Sequence, residues 1–214
     1  MTPISPSGLV LDLACGSAPV YRVWREVSSV AWVGVDRSAA ELARARQQGA
    51  SPLVRADASQ LPFSSGVFEV VVCSMAIMLL QPLESVLAEI HRVLRPKGTG
   101  VLTLPGSWPL HMSELLRYGR LMVALRRTHL SYPNDRRIVH LARLLRLAGF
   151  EVAGDARRRF AYPLADKASA RRFVGSLYLP AIPNGREARA SRVAERWVGS
   201  EIGIPLRRVI VRAK

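Results

Sequence analysis

Three aspartates stand where three predicted strands end in the N-terminal part of the chain. Asp12 follows the apolar run 9–11, Asp36 follows a second apolar run, and Asp57 ends a third. Because parallel strands place their carboxyl ends at one edge of a sheet, these carboxylates should lie close together. Asp36 stands about twenty residues past the first turn, where a carboxylate of such a fold accepts both hydrogen bonds of a ribose cis-diol. We therefore predict that Asp36 binds a ribose. The alternative is that Asp36 ends the strand and is only solvated.

The turn after Asp12 consists of small residues, ACGSA at positions 14–18. Small side chains let the backbone turn tightly and approach a ligand closely, and Pro19 fits the first turn of a following helix. A strand, an acid, a small-residue turn and a helix in this order are typical of a nucleotide-binding α/β unit. The dinucleotide pattern G-x-G-x-x-G is not met, because Ala14 and Pro19 stand where two of its glycines would be. The alternative is a buried strand followed by an ordinary tight turn.

The next residues alternate between helix and strand patterns, as in a parallel α/β sheet. The sequence SAAE at 38–41 is a capping box, which predicts a helix start, and the apolar run 68–74 predicts a central strand. We further predict a helix over 82–94 and a fifth strand over 99–104. Residues 1–7 should be a weakly ordered lead.

Residues 105–132 form a connection that is long for a compact domain. They are rich in apolar, aromatic and histidine residues, which predict one helix with flanking loops. Connections of this length are usually functional segments, although each aromatic or histidine taken singly fits ordinary helix packing. A sixth strand is predicted to begin at Phe150. A seventh strand is predicted over 205–213.

The chain has 214 residues, 49% of them hydrophobic, so we expect a single domain over 1–214 with a proper core. The net charge is +15, and all but three of the basic residues are arginines spread along the chain. A solvated arginine-rich surface explains this, and a polyanionic partner is the alternative. Cys15 and Cys73 in apolar surroundings favour a reducing, cytosolic setting. The longest apolar run, 70–80, is too short to cross a membrane.

Four motifs share the order and spacing of a known family. They are DLACGSA, DASQLPF, FEVVVCSMAI and LxEIxRVLRPKGTGVLT, within residues 9–104. Together they resemble the class I S-adenosylmethionine-dependent methyltransferases, in particular the small-molecule branch similar to ubiquinone-biosynthesis methyltransferases. The family usually has D-x-G-x-G-x-G in the first motif, and Ala14 and Ala18 replace two of those glycines.

The resemblance implies an α/β fold, a Rossmann-like three-layer sandwich. Its seven-stranded, mostly parallel sheet has the order 3-2-1-4-5-7-6, with the last two strands paired antiparallel. A helical insertion follows strand 5, at residues 105–132. Because family members commonly carry cap helices before the first strand and this chain has only eight residues there, we expect 105–132 to be the cap that binds the acceptor.

The resemblance also implies S-adenosyl-L-methionine as cofactor and assigns its contacts. The cofactor-binding residues follow four strands: Asp12, Ala14 and Gly16 along the methionine part, Asp36 and Arg37 at the ribose, Asp57 and Ala58 at the adenine, and Ser74 and Met75 near the transferred methyl group.

The catalytic residues are less marked, because methyl transfer from a sulfonium needs mainly positioning of the two reactants. Family members often have a histidine where Met78 stands, so a base would come from elsewhere. His111, His129 and His140 are side chains of the type that acts as a general base, and Tyr118 could orient an acceptor. No histidine or cysteine spacing fits a metal site, so we predict no metal.

We thus expect an enzyme that methylates a small-molecule or lipid-like acceptor by in-line displacement. One alternative is a methyltransferase acting on RNA or another polyanion, based on the +15 charge. A second is a non-catalytic binding module, based on Ala14 and Ala18. A nucleic-acid partner is not favoured, and an oligomer stays open.

Overall fold

Strands and helices alternate along residues 8–27 and 30–214, which the computed structural model describes. The predicted weakly ordered lead, residues 1–7, lies outside the described residues. The strands are β1 (Val10–Leu13), β2 (Trp32–Asp36), β3 (Leu53–Arg55), β4 (Phe68–Ser74), β5 (Leu94–Pro105), β6 (Phe150–Leu164) and β7 (Ser200–Ala213). The helices are α1 (Pro19–Val27), α2 (Ala39–Gln47), α3 (Leu83–Val93), α4 (Met112–Leu125), α5 (Asp135–Ile138), α6 (Leu141–Leu147), α7 (Lys167–Gly175) and α8 (Asn184–Glu195).

The described strands form one seven-stranded sheet in the order β3-β2-β1-β4-β5-β7-β6. β1 runs parallel to both of its neighbours, with Asp12 opposite Gly34 of β2 and Val72 of β4. The backbone N–H of Lys214 donates to the carbonyl of Gly149 at 3.3 Å, which pairs the end of β7 with the start of β6 in antiparallel direction. The predicted α/β fold and its strand order are confirmed.

Three predicted strand boundaries are wrong by a few residues. β7 begins at Ser200 instead of Pro205. β1 continues to Leu13, so Asp12 lies inside the strand and is buried instead of ending it. β5 begins at Leu94 instead of Thr99. Leu94 pairs with Phe68 of β4 and Thr99 pairs with Val70, so the register between the two strands shifts at this point. Lys97 takes a left-handed φ of 62° there, which is typical of a bulged strand.

The predicted capping box of α2 is only half formed, because the N–H of Ser38 donates to Asp36 and not to the Glu41 carboxylate. Ser38 caps α2, since its hydroxyl accepts from the backbone N–H of Glu41 at 3.3 Å. The apolar side of α3 is buried; it consists of Leu83, Val86, Leu87, Ile90 and Val93. Burial of such a stripe against a sheet is the main source of helix stability in a protein.

The chain divides into two compact units. The first takes Met1–Leu104, Pro133–Ala156 and Arg208–Lys214, and the second takes Pro105–Tyr132 and Arg157–Arg207. The residues 105–132 therefore belong with the later helices α7 and α8, a grouping that the sequence did not indicate. The single-domain reading and the cap role of 105–132 stay predictions.

Each unit has its own apolar core. In the first, Val10 and Val70 pack with Trp32 and with side chains of α2. In the second, Leu121 and Leu125 of α4 pack against residues of α7 and α8. No described helix has the length and apolar character that a membrane crossing requires.

Candidate functional site

The turn after β1 has an unusual backbone for its residues. Ala14, Gly16 and Ala18 all have left-handed φ values, of 54°, 54° and 59°. The turn is held by hydrogen bonds from the N–H of Cys15 to the carbonyl of Val35 at 2.9 Å, and from the N–H of Ala18 to the carbonyl of Cys15 at 2.8 Å. A left-handed alanine costs about 1–2 kcal/mol. The two alanines therefore adopt the conformation that glycines favour at these positions.

The Asp36 carboxylate joins the turn after β1 to the start of α2. Its Oδ2 accepts from the backbone N–H of Gly16 at 2.9 Å, and its Oδ1 accepts from the N–H of Ser38 at 2.8 Å. Since each carboxylate oxygen has two acceptor positions, both oxygens can take a further hydrogen bond. The position of Asp36 is thus fixed, while its capacity to bind a diol is retained.

Asp12 carries a buried carboxylate oxygen that lacks a partner. The residue is 1% exposed, and its Oδ2 has no hydrogen bond from any described residue. Burial, and secondly the charge of Asp36, raises the pKa of Asp12 to about 7. An unpaired buried acceptor costs free energy, and an ammonium or another donor of a ligand would satisfy it. Asp12 therefore fits a ligand that brings a positive group to this edge of the sheet.

The end of β3 lies beside the end of β2. The N–H of Ala56 donates to the carbonyl of Asp36 at 3.2 Å. Asp57 is exposed and accepts from the hydroxyl of Ser59 at 2.7 Å and from its N–H at 2.8 Å, which holds the pKa of Asp57 below its ordinary value. Ala58 is buried, and Arg37 is exposed on the loop after β2.

The end of β4 is anchored to β5 through one residue. The hydroxyls of Ser74 and Thr103 lie 3.0 Å apart, and the N–H of Met75 donates to the Thr103 carbonyl at 2.9 Å. Met75 has a left-handed φ of 55° and is 39% exposed. Sequence reasoning missed Thr103, whose role depends on the β4–β5 register.

The structure thus brings the predicted cofactor residues to the carboxyl ends of β1 to β4, all within the first unit. Asp12, Asp36 and the turn between them are coupled directly, by charge and by the hydrogen bond to Gly16. The contacts of these residues with a cofactor stay predictions.

The predicted catalytic residues are divided between the units. His140 precedes α6 in the first unit, whereas His111, His129 and Tyr118 belong to the second. The three histidines are exposed, and the ring nitrogens of His129 contact the hydroxyl of Thr128 at 3.0 Å and that of Ser131 at 3.3 Å.

The hydroxyl of Tyr118 already has a hydrogen-bond partner within the protein. Its hydroxyl donates to the carbonyl of Gly203 at 2.9 Å, and its ring meets Phe173 edge-on. Burial raises the pKa of Tyr118 to about 12, so the phenol holds its proton at neutral pH. Its predicted role with an acceptor is not tested by these contacts.

A buried ion pair in the second unit was not predicted from the sequence. Glu114 is 3% exposed and accepts from the N–H of Gly203 at 2.6 Å, the N–H of His111 at 2.8 Å and the guanidinium of Arg159 at 2.6 Å. The hydrogen bonds from Arg159 lower the pKa of Glu114 to about 2. This carboxylate fastens the start of α4 to β6 and β7.

Residues 11–102 match the family model described as a methyltransferase domain. The match begins in β1 and ends in β5, so it contains the Asp12 turn, Asp36 and the ends of β3 and β4. This part of the chain is thus similar to a methyltransferase domain. The resemblance of the four motifs to this family is confirmed.

Curated relatives match a similar length of this chain. A malonyl-[acyl-carrier protein] O-methyltransferase of Enterobacter lignolyticus is 36% identical over 95 residues, which are 44% of this chain and 38% of the relative. A demethylmenaquinone methyltransferase of Mycolicibacterium gilvum is 38% identical over 96 residues, or 44% of this chain and 41% of the relative. The chain therefore spans about two fifths of the length of these relatives.

The fold also matches solved structures along nearly the whole chain. The phosphoethanolamine N-methyltransferase 2 of Haemonchus contortus, solved with phosphomonomethylethanolamine and S-adenosylhomocysteine, superposes with a TM-score of 0.59 at 16% identity. The superposition covers 99% of this chain and 50% of that one. At this identity the likeness concerns the fold alone.

Among the described residues, no group of three histidine, cysteine or acidic side chains could hold a metal ion. The absence of a metal from the reaction stays a prediction. Cys15 and Cys73 are free and buried, and burial raises the pKa of each thiol to about 12. Neither thiol is therefore ionised at neutral pH.

Proposed function

We propose that this chain is an S-adenosylmethionine-dependent methyltransferase that acts on a small-molecule or lipid-like acceptor. The observation that carries the proposal is the pairing of Asp12 and Asp36 around one turn. Asp36 fixes the turn through Gly16, while the unpartnered Oδ2 of Asp12 offers a buried hydrogen-bond acceptor beside it. These two acceptors fit a ligand that donates hydrogen bonds from a cis-diol and from a positively charged end.

The cofactor contacts follow from this placement. Asp12 and the backbone at Ala14 and Gly16 would hold the methionine part, with the ammonium group near the free Oδ2. Asp36, with Arg37 beside it, would accept from the ribose hydroxyls. The adenine and methyl contacts are proposed for the ends of β3 and β4, at Asp57, Ala58, Ser74 and Met75.

The reaction would be an in-line displacement on carbon. When bound, the cofactor supplies a methyl group activated by the sulfonium charge. The acceptor's lone pair would bond to that methyl carbon, and the electron pair of the broken carbon–sulfur bond would remain on sulfur. The acceptor's proton goes to a base or to water. Correct orientation of two reactants can lower a barrier by about 7–11 kcal/mol, so positioning by this chain is its main contribution.

Residues 105–132 are our candidate for contacts with the acceptor. Within and after them, His111, His129 and His140 are the proposed bases and Tyr118 the proposed orienting group. Because the Tyr118 hydroxyl already donates to Gly203, it would act as an acceptor of a hydrogen bond. An acceptor of low acidity would need one of the histidines, worth about 10²–10⁴-fold in rate.

The relatives' names favour a small-molecule acceptor over a nucleic acid. The left-handed Ala14 and Ala18 argue against the non-catalytic alternative, because the turn keeps the backbone that glycines would give it. We place the protein in the cytosol, since Cys15 and Cys73 are buried free thiols. Its oligomeric state is left open.

Calorimetric titration with S-adenosylhomocysteine, the demethylated product, tests the proposal. We expect saturable binding to the full chain. The matched control is Glu151→Ala, which removes an exposed carboxylate of the first unit that lies on β6. It should bind as the unchanged chain does. An absence of binding at millimolar ligand would contradict the enzyme function.

A further inference from the structure

α4 in the second unit has two apolar sides. Leu121 and Leu125 are fully buried in the core of the unit. Met112, Leu116 and Val123 are 72%, 61% and 76% exposed. Their spacing of four and seven residues places them on one side of the helix. A surface helix normally turns charged and polar residues outward, so this exposed stripe indicates a surface that something else covers.

The stripe borders an open groove between α4 and α8. The groove has a volume of about 940 Å³. Its apolar lining comes from α4, from α8 and from Trp197 just after α8. The helix residues are Leu115, Leu116, Gly119, Val123, Ala124 and Val193. A Cβ atom on Gly119 would meet nothing within 4 Å. The groove is therefore open space and not a closely packed seam.

Arginines surround this apolar surface. Arg120, Arg189 and Arg196 are exposed and line the same groove. None of the three has an ion-pair or hydrogen-bond partner for its side chain among the residues that the structure describes. Elsewhere on the surface arginines do pair with acids, as Arg171 does with Glu195 at 2.7 Å. The groove thus combines unpaired positive charge with exposed apolar side chains.

We propose that this α4–α8 face, formed by Met112, Leu116, Val123, Arg120, Arg189 and Arg196, docks on an anionic phospholipid bilayer. The aliphatic side chains enter the boundary between headgroups and acyl chains, as on interfacial amphipathic helices. The guanidinium groups remain at the depth of the phosphates, which long arginine side chains can reach. The overall charge of +15 attracts the chain to such a surface before contact.

The charge and the side-chain types favour a bilayer over other occupants. A second copy would bring two arginine-lined grooves together, each on a molecule with a charge of +15. A nucleic acid would satisfy the arginines, but the aliphatic side chains of Met112, Leu116 and Val123 offer no surface on which bases stack. An anionic amphiphilic surface uses both components of the face.

Co-sedimentation of the full chain with vesicles tests this docking. We compare vesicles of phosphatidylcholine alone with vesicles that also contain phosphatidylserine. Binding is expected to the anionic vesicles and should weaken as salt is added. Arg189→Gln and Arg196→Gln should each lower the partition coefficient about five-fold. Leu116→Ser and Val123→Ser should each lower it about ten-fold, because apolar side chains leave the interface.

Matched control variants lie in the first unit. Leu147 of α6 is 74% exposed, and Arg146 on the same helix is also exposed. Leu147→Ser and Arg146→Gln should bind vesicles as the unchanged chain does. Thermal melting of every variant checks that the chain is folded. Vesicle binding needs no cofactor, so its outcome is independent of the methyltransferase proposal.

Three results would overturn the docking proposal. The first is no binding to either kind of vesicle. The second is an equal loss of binding in the control variants, which would mean unspecific attraction to the whole positive surface. The third is that vesicle binding is lost with the arginine variants but not with Leu116→Ser or Val123→Ser, and that the unchanged chain binds a single-stranded polynucleotide as well as it binds the anionic vesicles. That result would identify the groove as a polyanion site.

Discussion

The carboxylate of Asp36 accepts a hydrogen bond from the backbone N–H of Gly16 at 2.9 Å, across a sequence separation of 20 residues. The end of β2 thereby fixes the turn that follows β1. The other carboxylate oxygen is held by the N–H of Ser38 at 2.8 Å. A side chain fixed at both oxygens loses little conformational freedom when a ligand binds, so its hydrogen bonds to a ribose would be made at low entropic cost.

Asp36→Ala should weaken binding of S-adenosylhomocysteine by about 1–3 kcal/mol, because charge-assisted hydrogen bonds to the ribose are lost. It should also lower the free energy of unfolding, since two backbone N–H groups lose their acceptor. Calorimetry measures the first effect and urea denaturation the second. Asp36→Asn keeps one carbonyl oxygen, so it should retain more of the ligand affinity and more of the stability than Asp36→Ala does. Glu151→Ala should leave the affinity and the free energy of unfolding unchanged. An Asp36→Ala chain with unchanged affinity would show that the ribose assignment is wrong.

The buried Asp12 makes the free energy of unfolding depend on pH between 3.8 and about 7. Its pKa is about 7 when folded, against an ordinary value of 3.8. Between these values the unfolded chain ionises Asp12 while the folded chain keeps the proton. The free energy of unfolding should therefore fall as pH rises through this window, by at most about 1.4 kcal/mol per pH unit for this group.

Asp12→Asn removes that titration and keeps the shape of the side chain. Urea denaturation of both chains across the window should show the difference in stability growing in favour of Asp12→Asn up to a pH of about 7. Identical pH slopes for the two chains would contradict the burial of an ionisable Asp12.

Glu114 has the opposite effect at acid pH. Its pKa is about 2 when folded, against 4.5 ordinarily. Its contribution to stability is complete above 4.5 and is lost as pH falls from there toward 2. Glu114→Gln should lower the free energy of unfolding at neutral pH by about 1.5–3 kcal/mol, because it weakens hydrogen bonds to a charged, buried group.

Glu187→Gln is the control for this change, since Glu187 is a half-buried acid of the same unit with no ion pair among the described residues. Denaturation as a function of pH compares the three chains. The network around Glu114 would be unimportant if Glu114→Gln were no less stable than Glu187→Gln.

A glycine at position 14 should remove backbone strain from the turn after β1. Ala14 has a φ of 54°, which L side chains rarely adopt, so Ala14→Gly should raise the free energy of unfolding by up to about 1 kcal/mol. Ala148, with a φ of −82° after α6, is the control. Ala148→Gly should lower the free energy by about 0.5–1 kcal/mol. A destabilised Ala14→Gly chain would mean that the left-handed alanine is unstrained.

Patterns that depend on neighbours in the sequence predicted the structure well. The hydroxyl of Ser38 and the apolar stripe of α3 act within one or two helical turns, so both were visible from spacing. The sheet order and the grouping of the strand ends came from the ordered motifs between residues 9 and 104. That Asp36 binds the N–H of Gly16 could not be foreseen, because it depends on the exact course of the turn.

Other features depend on contacts between distant residues. Glu114 looks like an ordinary helix residue, and its partners Arg159 and Gly203 lie 45 and 89 residues away. α4 is apolar on two sides, so spacing alone does not tell that Leu121 is buried and Leu116 is exposed. Which side of α4 is buried depends on its packing against α7 and α8. The order of residues in the sequence does not contain this information.

A crystal structure of the full chain with S-adenosylhomocysteine tests the central claim most directly. The account predicts both ribose hydroxyl oxygens within about 3.2 Å of the Asp36 carboxylate, and the ammonium group of the ligand beside Oδ2 of Asp12. A ligand bound elsewhere, or a ribose out of reach of Asp36, would contradict it.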